Sequence, residues 1–377
     1  MADRRAEAEV EMSTPDPEFW HRQRVFLTGH TGFKGGWLAV WLHMLGAEVY
    51  GYALAPDTSP ALFDKARIGG LLHGETADIN DLARLSAAIS AFRPTVVIHM
   101  AAQPLVRRSY AEPRETFATN LLGTVNLLEA VRATPGIRAV FVVTTDKCYE
   151  NLEHGRPYRE TDRLGGRDPY SASKACAELA TQSYFWSFFK DSGCGLASGR
   201  AGNVIGGGDW SVDRLVPDLM RAFHAGQSAM LRNPAATRPW QHVLEPLNGY
   251  LLAIERLCDG SADAPSTWNF GPDVGGNQSV GDVAAAAARA WGPGAETVVQ
   301  RNHNAPHEAT LLSVDSSKAR TELSWAPRWS FDEAIRRTVV WYRDVYRGAD
   351  ARLVCQQQIA EFVATSPAAV PVATGRP

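Results

Sequence analysis

Residues 24–42, "RVFLTGHTGFKGGWLAVWL", decide the fold. The stretch opens on a short apolar run, breaks at Gly29, Gly32 and Gly35 in a G-x-x-G-x-x-G spacing, and resumes with apolar residues at helical intervals, Leu38, Trp41, Leu42 and Leu45. It reads as a strand, a glycine turn and a helix. Glycines let the backbone turn tightly and approach a pyrophosphate, whose charge meets the amides at a helix N-terminus. The turn residues Gly29, His30, Thr31, Gly32, Phe33, Lys34 and Gly35 are therefore candidate dinucleotide contacts.

Further runs at 47–54, 94–101, 139–145 and 194–201 alternate with helical patterns such as Leu121, Val125, Leu128 and Val131. These runs lack polar alternation, which suits strands covered by helices on both faces. The expected fold is α/β, a Rossmann-type doubly wound parallel sheet with a smaller, interleaved C-terminal lobe. The acidic residue that would grip an NAD ribose about twenty residues past the turn is missing, since Asp57 comes late. That leaves NAD or NADP open, and His30 and Lys34 could greet a 2'-phosphate. Asp78, with Ile79 beside it, is placed to meet the adenine, or else caps the following helix.

Beyond residue 205 the texture turns to loops rich in Gly, Pro, Trp and Arg, with helices expected near 214–226, 245–258, 279–291 and 331–345. The expected organisation is a tail over 1–17 and a dinucleotide-binding domain over 18–204 with a return segment at about 238–272. A substrate-binding lobe follows over 205–237 and 273–350, and a second tail over 351–377. The 377 residues carry 38 basic against 41 acidic groups, a net charge of -3, so no nucleic-acid footprint is expected. Five scattered cysteines without a C-x-x-C pair, no signal-peptide pattern and no span apolar enough for a bilayer predict a reduced, cytoplasmic protein without membrane or metal partners.

Two more stretches carry chemistry. In "DPYSASKACAEL" (168–179), Tyr170 and Lys174 lie four apart, on one helix face. A nearby cation stabilises tyrosinate, so Tyr170 can take a proton from a hydroxyl during hydride transfer. "TTDKCY" (144–149) sets Thr145, Asp146 and Lys147 side by side after a buried run.

With "HMAAQPLVRRSY", "RAGNVIGGGDW", "DRLVPD" and "RPWQHVLEPLNGY", these blocks run from about Pro17 to Tyr342. Together they resemble the extended short-chain dehydrogenase/reductases, and within them the sugar-nucleotide 4,6-dehydratases that act on CDP-glucose. The resemblance implies bound NAD, a homodimer, and conversion of CDP-D-glucose to CDP-4-keto-6-deoxy-D-glucose for deoxysugar, lipopolysaccharide or O-antigen biosynthesis. It gives Asp146 the acid role at C6 and has Thr145 assist Tyr170. Lys147 is either the C5 base or an enolate stabiliser. Ala101, Ala102, Gln103 and Asn120 would line the ribose and nicotinamide side. Asn203, Arg214 and Arg238 would hold the diphosphate, guanidinium forks matching phosphate oxygens in pairs. Ser109 and Tyr110 would face the sugar, and Asn233, His307 and Glu308 the nucleotide. The helices starting near Asn120 and Tyr170, with Phe185, Trp186 and Phe189, would form the dimer seam. Another NDP-hexose as substrate, or a 4-epimerase or 4-reductase, is the alternative.

Overall fold

The computed structural model describes residues 13–260, 265–272, 276–299 and 312–365. In chain order the strands are β1 (Arg24–Thr28), β2 (Glu48–Ala53), β3 (His73–Thr76), β4 (Val96–His99), β5 (Ala139–Val143), β6 (Gly195–Ala201), β7 (Asn203–Ile205), β8 (Ala229–Leu231), β9 (Thr237–His242), β10 (Ser266–Phe270), β11 (Asn277–Ser279) and β12 (Thr297–Val299). Seven of them form one sheet in the order β10-β6-β5-β4-β1-β2-β3, every pairing parallel. The chain order reverses between β1 and β4, so a crevice opens at the carboxyl ends of these two strands. β3 sits at the edge and is largely exposed, which is why its sequence, "HGET", has no apolar signature.

Helices cover both faces, as parallel pairing requires. On one face, helices Phe33–Met44 and Leu244–Asp259 bring Trp37, Trp41, Leu247 and Tyr250 into a core with Val25, Leu27 and Phe141. On the other, helices Leu82–Phe92, Gly123–Arg132 and Pro169–Tyr184 enclose a core of Phe26, Ile89, Leu128, Val140 and Phe185. Each such fully buried side chain stabilises by about 1.5–3 kcal/mol.

Helix Phe33–Met44 is buried on all sides from Gly35 to Leu42, because a further helix, Ala351–Ala364, lies against its outer face with Phe362 edge-on to Trp41. The expected tail therefore does not begin at residue 351: Cys355, Ile359 and Phe362 are core residues. At the other end Ser13 is tied to Ser324 and Arg328, and Asp16 caps helix Pro17–His21, so residues 13–17 of the expected first tail belong to the fold.

The second lobe grows out of the main sheet. After β6, Gly202 passes the chain into β7, which pairs with β9, itself antiparallel to β11; β8 and β12 form a separate parallel pair. The return to the main sheet runs through helix Leu244–Asp259 and β10, while β9, at the start of the expected return segment, belongs to the small sheet. No helix among the described residues is long and apolar enough to cross a membrane.

Candidate active site

A cleft of about 1680 Å³ runs along the carboxyl ends of the central strands and on between the lobes. Its first half is built from backbone. Gly29 sits at φ +75°, and a Cβ there would lie 2.7 Å from the Ala101 nitrogen; at Gly35 it would lie 2.2 Å from the Gly29 oxygen. Both positions require glycine for the chain's own packing. Gly32 differs: a Cβ there would meet the Gly29 oxygen at 3.5 Å, an ordinary contact. As N-cap of helix Phe33–Met44 it contributes no side chain, so the first amides face the cleft without an intramolecular cap. An uncapped helix end behind glycines fits a dinucleotide pyrophosphate. Thr31, Phe33, Lys34, Asp78, Ile79, Ala101, Ala102 and Gln103 also line this half, as does Asp57.

Two expected cofactor contacts, His30 and Asn120, sit elsewhere, and a third, Lys34, lines this half but turns its ammonium away from the glycine turn. The His30 ring is buried against Gly51 and edge-on to Phe63; burial brings its pKa down to about 4, so it is neutral and carries no charge toward a phosphate. Lys34 turns inward, its Nζ donating to the Tyr250 hydroxyl at 3.3 Å. Burial, then Lys174 and Arg214, lower its pKa to about 7. Neither residue is placed to greet a 2'-phosphate. Asn120 is fully buried: its amide donates to the Gln103 carbonyl at 3.1 Å and to Ser173 Oγ at 2.9 Å, and its oxygen accepts from the Gln103 amide at 2.8 Å. It bolts the catalytic helix to the loop after β4 and is corrected from contact to support. The cap of helix Leu82–Phe92 is Asp81; Asp78 instead holds Asn80 and faces the cleft.

The strand end and the catalytic helix bring the reactive groups together. Asp168 caps helix Pro169–Tyr184, and Tyr170 and Lys174 face the cleft from its first turns. Tyr170 is hydrogen-bonded to Thr145, yet burial pushes its pKa up to about 12. Lys174 Nζ donates to the Val143 carbonyl at 3.1 Å; burial lowers its pKa to about 8 against the opposing pull of Glu178. Thr145 Oγ1 donates to Asp146 Oδ1 at 3.1 Å. Asp146 is buried just behind the cleft wall, which Thr145 and Lys147 line on either side of it, and among the described residues its other oxygen, Oδ2, has no hydrogen-bond partner. Gly202 lies against that oxygen, where a Cβ would come within 3.0 Å. Lys147 Nζ reaches Asp146 Oδ1 at 3.5 Å and Asn203 Oδ1 at 3.2 Å. Asn203 thus partners Lys147 as well as lining the cleft.

In the second lobe Arg214, Asn233 and Arg238 line the cleft, with Arg214 paired to Asp209 at 2.9 Å, and Tyr110 lines it from helix Val106–Ala111 after β4. Ser109 does not line it: its hydroxyl is buried, donating to the Val106 carbonyl at 2.6 Å within its own helix, which removes it as a sugar contact. His307 and Glu308 lie outside the described residues.

The sequence reading passed over the support beneath the helix. Glu178, one turn past Lys174, is wholly buried and paired to Arg200 at 2.7 Å; it also accepts from Thr144 and Ser198. Burial would raise the carboxyl's pKa, but Arg200 and these hydrogen bonds hold it below the usual range. Arg200 also donates to the Tyr149 hydroxyl at 2.8 Å. The spacing from Lys174 to Glu178 in "SKACAE" was the available signal.

The model of the family described as GDP-mannose 4,6 dehydratase matches residues 26–338. The chain belongs to that family. Among curated relatives, it is 46% identical over 93% of its length, and 99% of the relative's, to a CDP-glucose 4,6-dehydratase of Salmonella typhimurium. It is 28% identical to a dTDP-glucose 4,6-dehydratase of Streptomyces antibioticus, over 85% of this chain and 92% of that one. Among solved structures, a UDP-glucose 4-epimerase of Thermus thermophilus in complex with NAD superposes with a TM-score of 0.73 at 27% identity, covering 86% of this chain and 99% of that one. A dTDP-glucose 4,6-dehydratase of Streptomyces venezuelae with NAD bound gives 0.72 at 22% identity, covering 85% and 97%, and shares the fold. NAD is the cofactor, and the glycine-turn half of the cleft fits its pyrophosphate.

Proposed function

We propose that the enzyme is an NAD-dependent hydro-lyase that converts CDP-D-glucose to CDP-4-keto-6-deoxy-D-glucose and water. The observation that carries this reading is Asp146: a buried carboxyl with one oxygen that has no partner among the described residues, on the same turn as the Thr145 that bonds Tyr170. Epimerisation at C4 needs no acid beyond the tyrosine, whereas expelling a C6 hydroxyl needs a proton delivered to a poor leaving group.

NAD, when bound, supplies the hydride acceptor of the first step and the hydride donor of the last. Tyr170 accepts the C4 hydroxyl proton, with Thr145 orienting its phenol and the Lys174 ammonium favouring the tyrosinate. The resulting C4 ketone acidifies the C5 proton, which passes to a water in the cleft and is replaced at C5 from solvent when hydride returns to C6. Asp146 is assigned to protonating the departing C6 hydroxyl. Lys147, held between Asp146 and Asn203, is assigned to stabilising the enolate oxygen. Arg214 and Arg238 are assigned to the diphosphate, and Asn233 and Tyr110 to the nucleoside and sugar. Asp57 and Asp78, both on the cleft wall beyond β2 and β3, support NAD over a cofactor with an extra phosphate.

The enzyme is also proposed to be a homodimer. Phe185 and Phe189 turn into the core, but Leu122, Leu179, Trp186 and Phe188 are exposed on the paired helices, an apolar face that suits a second copy. A cytoplasmic setting, supported by the free thiols of all five cysteines, and supply of deoxysugar for surface polysaccharide complete the proposal.

The test is incubation with NAD and, separately, CDP-, dTDP-, UDP- and GDP-glucose, followed by mass spectrometry. Loss of water from CDP-glucose, with deuterium carried from C4 into the new methyl group, is the expected result. An isomer of unchanged mass overturns the lyase reading, and water lost only from another sugar nucleotide overturns the choice of base.

A further inference from the structure

Lys34 belongs to the glycine turn, yet its ammonium ends at the reactive centre. From the second residue of helix Phe33–Met44 the side chain crosses the floor of the cleft to the Tyr250 hydroxyl, 3.3 Å away, and lies 5.6 Å from the centre of that ring. Tyr250, on helix Leu244–Asp259, is completely buried and interacts electrostatically with Tyr170 and Asp146. The charged groups facing Lys34 are Lys174 on the catalytic helix, Arg214 at the head of helix Leu215–His224, and Asp146 and Lys147 on the turn after β5. Three cations against one carboxylate leave this ammonium poorly compensated, and its one hydrogen-bond acceptor among the described residues is a neutral phenol.

A hydride acceptor has to span from the pyrophosphate site at the glycine turn to the hydroxyl that Tyr170 deprotonates. Lys34 spans the same two places. Its charge state is therefore coupled to the charge on a nicotinamide lying along that path, which is one unit more positive when oxidised than when reduced. At about 6 Å and an effective dielectric near 20, a unit charge difference is worth one to two pKa units.

We propose that Lys34 compensates the change of cofactor charge, holding a proton while the nicotinamide is uncharged and yielding it when the ring is cationic, so that the balance between oxidised and reduced cofactor follows pH through this side chain. Burial and the neighbouring cations place its titration close to neutrality, about 7, where the coupling is felt. The pyrophosphate contributes equally in both oxidation states and leaves the difference intact.

The inference rests on the NAD part of the proposed function and not on the sugar. It is tested by binding alone, without a sugar nucleotide, so a wrong substrate assignment leaves its result unchanged. Dissociation constants for NAD+ and NADH are measured by fluorescence from about pH 6 to about pH 9 on the wild type, Lys34→Met, Lys34→Arg and Tyr250→Phe. In the wild type the ratio of the NAD+ constant to the NADH constant falls about tenfold or more as pH rises, one pKa unit of coupling being a factor of ten. Lys174, with its pKa near 8, contributes slope in every protein, so the comparison is between variants. Lys34→Met shows a low ratio with its share of the slope lost, and Lys34→Arg a high ratio across the range. Tyr250→Phe moves the midpoint to lower pH by removing the acceptor. If Lys34→Arg does not fold, the other two decide. A Lys34→Met protein with the wild-type ratio and slope overturns the proposal.

Discussion

The two halves of the cleft are made of different materials. In the cofactor half the surface is backbone: glycines that cannot carry a Cβ, helix amides left uncapped, and small residues after β4. In the substrate half it is charge, and the charges are already engaged: Arg214 with Asp209, Arg107 and Arg232 with Asp213, Lys147 with Asp146. The first half holds its shape through sterics, which admit no partial answer. The second holds it through exchangeable pairs, which a ligand's phosphates can replace one for one.

The largest expected effect falls where the two halves meet. Asp146→Asn removes the acid but keeps the hydrogen-bonding shape, and elimination slows by about 10²–10⁴-fold. Oxidation at C4 survives, so reduced cofactor accumulates at single turnover. Equal slowing of both steps breaks the assignment of distinct roles to Asp146 and Tyr170.

Next comes the support under the catalytic helix. Glu178→Gln strands Arg200 in the core and costs about 3–5 kcal/mol in urea unfolding. The same change of charge type on the cleft rim, Arg232→Gln, costs less than about 1 kcal/mol, its partners being partly exposed. Comparable losses at both positions erase the contrast between core and rim. Within the cofactor half, Gly35→Ala forces a methyl into the Gly29 carbonyl and destabilises by about 1–3 kcal/mol with loss of NAD affinity by calorimetry, while Gly32→Ala stays below about 1 kcal/mol.

Acid sharpens the comparison further. His30, His99 and His242 are buried and neutral, burial lowering their pKa values to about 4, 3 and 3. Each binds a proton more weakly folded than unfolded. Their contribution to stability is therefore fully present above about pH 6.5 and is lost as pH falls toward about 4. His30→Gln removes part of that slope in unfolding measured across the window, and an unchanged slope contradicts the buried, neutral ring.

The cofactor half was legible because its requirements are local: β1, the turn and the helix are contiguous, and Tyr170 with Lys174 needs only helical periodicity. The reactive triplet was legible for the same reason. What escaped depends on residues far apart in the chain. Nothing near Lys34 announces that Tyr250 lies beneath it, and nothing near Glu178 announces Arg200. Ser109 and Asn120 carry the right functional groups in the right segment, but burial spends them on Val106, Gln103 and Ser173. His30 faces inward because Gly51, on the neighbouring strand, leaves room for its ring. Helix Ala351–Ala364 was taken for a tail since Leu353 and Val363 are exposed while Cys355 and Gln358 are buried, which blurs its apolar stripe.

The outermost strand has a consequence for how the enzyme is made. β10 is contributed by residues 266–270, yet its Asn269 accepts the Tyr149 hydroxyl at 2.7 Å and its Thr267 meets Ser198 beside Glu178. The wall behind the catalytic helix is thus finished by a segment that leaves the ribosome long after the glycine turn has. Until it arrives, the nascent sheet ends at β6 with a bare edge and an arginine–phenol network short of its last acceptor, so fragments stopping ahead of residue 266 belong in the care of chaperones.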